Sequence, residues 1–132
     1  MSAPAAVNEA RLVVRHGPLV GAVLSRVVGM LAARALCPID RLDDALLITD
    51  AIAAHAGDFT PNGRVGITVA ADEEGITLTV EPLRAQGADG LLRAAELPGV
   101  GNVLERVATE VEAARSDDGG EGLRIRLAFQ AA

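Results

Sequence analysis

The spacing of apolar residues changes several times along this chain, and each change predicts an element. Over residues 10–15 the apolar positions alternate around Leu12 and Val14, a period of two that predicts a short strand. Val13 suggests that the second face of that strand is partly covered. His16, Gly17 and Pro18 break the pattern, and Pro18 suits the first position of a helix. Val20, Leu24, Val27, Leu31 and Ala35 then recur at helical spacing, broadened by Val23 and Val28, which predicts a mostly buried helix ending near Leu36.

Pro38 marks the next break, and residues 40–57 (DRLDDALLITDAIAAHAG) predict a second helix with visible ends. Asp40 is expected to cap it, Asp43 and Asp44 put negative charge where the helix dipole favours it, and His55 lies near the other end. Gly57 is expected to supply a left-handed stop. Leu42, Leu46, Thr49, Ala53 and Ala56 form the expected core stripe, widened by Ala45 and Ile52. Asp43, Asp50 and Ala54 share a different face, so this helix can form one wall of a groove.

A hairpin follows. Val65, Ile67, Val69 and Ala71 alternate, residues 72–75 turn, and Ile76, Leu78 and Val80 alternate with Thr77 and Thr79. Residues 81–100, with Pro82, Gly87, Gly90, Pro98 and Gly99, have no sustained period apart from a short helical piece over 89–96. A connection of this length in a small domain suggests a functional loop or lid. A third helix is expected from Val100 or Gly101 to about Glu112, with Val103, Leu104, Val107 and Val111 inward. A closing hairpin is expected with a short strand over 111–115, a turn over 117–120 and a strong strand. Leu123, Ile125, Leu127 and Phe129 would face inward, and Arg124 and Arg126 outward. This order predicts an α+β fold, a two-layer α/β sandwich with a mixed, mostly antiparallel sheet and helices on one face. Residues 1–9, small and Ala-rich, are expected to be a flexible end, and 10–132 a single domain.

Composition narrows the function. The 132 residues have a formal charge of −6, which argues against non-specific binding to nucleic acid or an anionic membrane. With no Trp or Tyr and only Phe59 and Phe129 as aromatics, a base-stacking platform is not expected. The stretch 18–36 is apolar, but Arg26, Arg34, Gly21, Ser25 and Gly29 interrupt it, so a membrane span is not expected. No signal peptide is recognisable, and the single Cys37 reads as a small apolar side chain at a helix end. A cytoplasmic protein is expected. His16 and His55 stand on different elements with no third ligand spaced to join either, so no metal site is predicted. Asp43 and Asp50 are roughly 10 Å apart along a helix, too loose for a shared-proton pair.

The order of elements resembles the ATP-binding (Bergerat-like) fold of histidine kinases, gyrases and heat-shock chaperones. Within it, the chain looks most like the anti-sigma factor serine kinases and their actinobacterial relatives. Residues 41–56 (RLDDALLITDAIAAHA) resemble the second helix of that family, and 98–129 (PGVGNVLERVATEVEAARSDDGGEGLRIRLAF) its last helix and final hairpin. The resemblance implies ATP and magnesium as cofactors and a serine/threonine kinase activity. It also implies partners such as a sigma factor or an anti-sigma antagonist, and often a homodimer.

The motif residues depart from the family pattern. The helix glutamate that acts as a base is Asp50 here, and the asparagine that helps hold magnesium is Ala54, which cannot coordinate a cation. The aspartate that anchors adenine falls at Pro82, or at Glu81 one residue earlier, without its glycines. Gly99 and Gly101 stand where a glycine pair would open a helix and cradle phosphate, although two glycines flanking a turn after Pro98 are more often loop punctuation. The threonine after the last glycine pair is replaced, since Gly119 and Gly120 precede Glu121 and Gly122. Removing one good polar interaction from a buried site costs roughly 1–3 kcal/mol. Two such removals lower affinity by about one to four decades, at roughly 1.4 kcal/mol per decade. The expectation is therefore a regulatory protein-binding domain with an eroded ATP site and no phosphotransfer, needing neither cofactor nor metal. The alternatives are an active kinase, with Asp50 as base and Gly99 and Gly101 around the phosphates, and a small-molecule sensor.

Overall fold

The period-two segments all become strands in the computed structural model, which describes residues 7–115 and 120–130. The chain runs β1 (Asn8–Arg15), α1 (Leu19–Arg34), α2 (Ile39–His55), a 3-10 turn (Ala56–Phe59), β2 (Arg64–Ala71) and β3 (Gly75–Leu83). It continues through α3 (Gly87–Ala94), β4 (Glu96–Leu97), β5 (Gly101–Asn102), α4 (Val103–Val107), β6 (Glu110–Arg115) and β7 (Glu121–Ala128). The main sheet has the order β1-β2-β3-β7-β6, and each neighbouring pair in it is antiparallel.

Two cross-strand rows explain why the sheet has one dry side. Ala10, Val69, Leu78, Ile125 and Val111 are in register across the five strands and join the core. The adjacent row is Arg11, Thr68, Thr79, Arg124 and Glu112. There Arg11 Nη1 donates to Thr68 Oγ1 at 3.0 Å, and Arg124 Nη1 to Glu112 Oε1 at 3.1 Å. A strand period of two thus separates an apolar face from a self-paired polar one. The apolar face is buried with Val20, Leu24 and Val28 of α1, Ala45, Ile48 and Ile52 of α2, Leu91 of α3 and Leu104 of α4. This is the α+β two-layer sandwich, with the helices on one face of the sheet.

Several local expectations are corrected. β1 begins at Asn8, so residues 8 and 9 belong to the sheet rather than to a loose end, while 1–6 lie outside the described residues. α2 begins at Ile39 because Pro38 is extended (ψ 147°) and its carbonyl accepts from Leu42 N–H at 2.9 Å. Asp40 therefore sits within the first turn, where it complements the dipole but does not cap. The core stripe of α2 is centred on Ala45, Ile48, Thr49, Ile52 and Ala56, leaving Leu42, Leu46 and Ala53 half-buried. Gly57 does not stop the helix in a left-handed turn, since the chain tightens into the 3-10 turn instead. Its missing side chain makes room for the His16 ring, which a Cβ there would overlap.

The third helix shrinks most. Only Val103–Val107 is helical, capped by the Asn102 side chain, which accepts from Glu105 N–H at 3.2 Å. Beyond it, Thr109 N–H donates to the Arg126 carbonyl and its hydroxyl accepts from Ala128 N–H. These bonds pull the chain onto the sheet, so Val111 packs inward from a strand rather than from a helix. The region expected to be an irregular connection is instead built from the end of β3, α3 and the small β4–β5 hairpin. Of the closing turn over 117–120, residues 117–119 lie outside the described residues. Among the described residues no helix is long and apolar enough to cross a membrane.

Candidate functional site

The exposed side of α2 meets the α3–β4 segment and α4 across a cleft of about 230 Å³. Leu47, Asp50, Ala51, Ala54 and His55 line it from α2, and Ala95, Leu97 and Val103 from the opposite wall. The helical period produces the first wall. Asp43, Leu47, Asp50 and Ala54 recur at three- and four-residue steps and are all exposed, while the opposite side of α2 carries the core. The second wall exists because the β4–β5 hairpin folds back tightly. Val100 N–H bonds the Leu97 carbonyl at 3.1 Å, and Gly99 has φ +76°, as a turn of type II with Pro98 and Gly99 at its centre requires. This holds Leu97 at the mouth of the cleft, 47 % exposed, facing Leu47 at 48 %.

The sequence-predicted site residues are only partly brought together. Asp50 and Ala54 line the cleft, with His55 beside them. Gly99 and Gly101 lie in the hairpin before α4, not at its first turn. Gly101 has φ +95° and pairs with Leu97. The nearby backbone donors are engaged: Val100 N–H with Leu97, Val103 N–H with the Ala95 carbonyl and Glu105 N–H with Asn102. A phosphate approaching the hairpin would find those three donors already bonded. Glu81, the alternative adenine anchor, lies on the outer side of the sheet, with its carboxylate 3.9 Å from Arg11 and outside the cleft lining. Register is lost between Val80 and Leu83, where Pro82 has no N–H to offer the ladder.

Glu121, which follows the glycine pair, has a different task. Its Oε2 accepts from Gln86 N–H at 2.6 Å and its Oε1 from Ala88 N–H at 3.2 Å. It thus caps α3 from the start of β7. Sequence reasoning missed this link, since the partners are 33 and 35 residues away. It also missed Leu47, which the helical period could have placed beside Asp50. Leu97 carried no readable signal, because a two-residue strand has no period.

Tested against magnesium ATP, the donor set does not fit. The cleft offers a single carboxylate, Asp50, beside a methyl group where a magnesium ligand would be needed. No group of three or more His, Cys, Asp or Glu side chains arranged to hold a metal occurs among the described residues. The volume is also below the roughly 300–1,000 Å³ of pockets that enclose drug-sized ligands. Cys37 lies away from the cleft. Burial raises its thiol pKa, opposed by the nearby Arg41 charge, so it is not set up as a nucleophile. No protein-family model matches the chain, and no curated protein sequence matches it.

Proposed function

We infer that this chain is a regulatory protein-binding domain whose fold resembles that of the anti-sigma factor kinases and whose nucleotide site has eroded. The observation that carries this reading is the cleft beside α2. At the positions where the resemblance puts a base and a magnesium ligand it has Asp50 and Ala54, and its floor is apolar. Exposed Leu47 and Leu97 at its mouth suit a docking surface better than a site for a highly charged nucleotide. By the same resemblance the partner is a sigma factor or an anti-sigma antagonist, and the mechanism is steric, through sequestration in the cytoplasm without ATP turnover. A second copy of the chain is a further partner implied by the resemblance.

The test pairs calorimetry with a binding assay. Titration with magnesium ATP is expected to be flat, and a complex with a sigma factor or antagonist of the same organism is expected to weaken on Leu47→Asp. Micromolar nucleotide binding that is lost on Asp50→Asn, together with phosphate transfer to the antagonist, would overturn this reading in favour of an active kinase.

A further inference from the structure

α2 presents to solvent a stripe that the core does not use. Ile39, Asp43, Leu47, Asp50 and Ala54 are all exposed and fall on one side of the helix. Ile39 is 78 % exposed, so the apolar part of the stripe extends beyond the cleft towards the start of α2. Charge on the stripe itself is one-sided. Asp43 and Asp50 on the stripe and Glu96 beside Leu97 are exposed and form no ion pair among the described residues. Elsewhere Asp44 is matched by Arg41, Asp89 by Arg93 and Glu112 by Arg124, whereas Glu9, Asp40, Glu73, Glu74, Glu105 and Glu110 also form no ion pair among the described residues. Of two cations close to the rim in sequence, Arg93 is paired with Asp89, while Arg106 is held on the neutral Val100 carbonyl and keeps its positive charge.

We propose that this groove receives an amphipathic helix of a partner protein, with one bulky aliphatic anchor in the cleft and Lys or Arg beside it. The proposal rests on the docking reading above and adds the chemistry of the partner. A helix laid along an apolar groove is a recurrent recognition mode. A neutral or acidic partner would desolvate Asp43, Asp50 and Glu96 without compensation, whereas cations recover that loss and speed encounter with a chain of charge −6. The spacing is set by α2 itself. Asp50 lies within the cleft lining, so a cation within one turn of the anchor reaches it. Asp43 is seven residues earlier, roughly 10 Å along the axis, so a second cation about two turns from the first reaches it.

The experiment selects helical peptides from a random displayed library against the full chain, with Ala54→Arg, which obstructs the cleft, as counter-target. Circular dichroism checks that the variants retain their helix content. Recovered peptides are expected to carry an aliphatic anchor flanked by Lys or Arg. They should bind more weakly as salt rises, and lose about tenfold or more in affinity on Ala54→Arg. The double variant Asp43→Lys/Asp50→Lys should weaken them by at least about tenfold, and replacing the peptide cations by Glu should restore binding to that variant. Peptides that depend on Ala54 but are neutral or acidic, or that ignore the charge reversal, overturn the basic-helix proposal and leave the docking reading in place. A selection that yields no peptide sensitive to Ala54→Arg overturns both.

Discussion

Replacing Glu121 by alanine removes the link between the start of β7 and the helix that leads into the cleft wall. One carboxylate serves two donors there, Gln86 N–H at 2.6 Å and Ala88 N–H at 3.2 Å. Gln86 has φ +64° and makes no side-chain cap of its own, and among the described residues only Glu121 bonds the first turn of α3 through a side chain. Hydrogen bonds to a charged group are each worth roughly 1.5–3 kcal/mol, and truncation of a cap commonly costs about 0.5–2 kcal/mol. Glu121 is only half-buried, so water can serve the freed donors in part, and the expected loss is about 2 kcal/mol. For a domain of this size each kcal/mol shifts the melting temperature by roughly 3–5 °C, giving a fall of about 6–10 °C. Glu121→Gln keeps the side-chain volume and one acceptor oxygen and should lose about half as much. Urea unfolding should show the midpoint falling at constant slope, and amide exchange at residues 86–88 should accelerate more than in β2. The reasoning is refuted if Glu121→Ala stays within about 0.5 kcal/mol of the native chain, or if glutamine is as damaging as alanine.

Two further substitutions test backbone arguments. Leu36 is 86 % exposed yet sits at φ +59°, in the position that glycine favours after a helix, with Cys37 N–H bonded to Ala32 and Leu36 N–H to Ala33. Leu36→Gly relieves about 1–2 kcal/mol of left-handed strain against about 0.5–1 kcal/mol of added unfolded-state freedom. It should therefore stabilise by about 0.5–1 kcal/mol in thermal unfolding, and a lower melting temperature would contradict this account. Gly66→Ala places a methyl group against the Glu81 carbonyl oxygen and should cost about 3 kcal/mol in urea unfolding. A near-neutral result would mean that the irregular end of β3 can yield.

How far the sequence spoke depended on the length of each pattern. β2 and β3 alternate over whole strands, and Asp72 closes their turn by accepting from Glu74 and Gly75 N–H, so pairing and faces were legible. α1 and α2 were legible as elements, but the buried side of α2 centres on Ile48, which the apolar stripe left out. A helix with apolar residues on much of its circumference has no sharply defined inward direction. The stretch 100–112 failed differently. Its apolar residues fit helical spacing throughout, and the bonds of Thr109 to Arg126 and Ala128, together with the pairing of β6 along β7, turn its end into a strand. Those bonds are tertiary and leave no local trace. The site was legible where it depends on α2 and illegible where it depends on β4 and Glu121.

At the positions that the proposed resemblance gives to the nucleotide motifs, the groups present have other partners. Glu121 stands at the position that the resemblance gives to a hydroxyl, and its carboxylate holds the start of α3. Glu81 faces Arg11 on the far side of the sheet. The N–H groups of Val100 and Val103 close the β4–β5 hairpin onto Leu97 and Ala95, and that of Glu105 is capped by Asn102. The Glu121 bonds fix α3, and the hairpin bonds shape the wall opposite α2. Introducing a single ligand, such as an asparagine at position 54, would therefore leave the other donors still engaged. The same bonds that occupy those donors hold Leu97 and Ala95 across from Leu47 and Asp50, so one set of interactions both fills the hairpin's donors and builds the acidic-rimmed apolar groove.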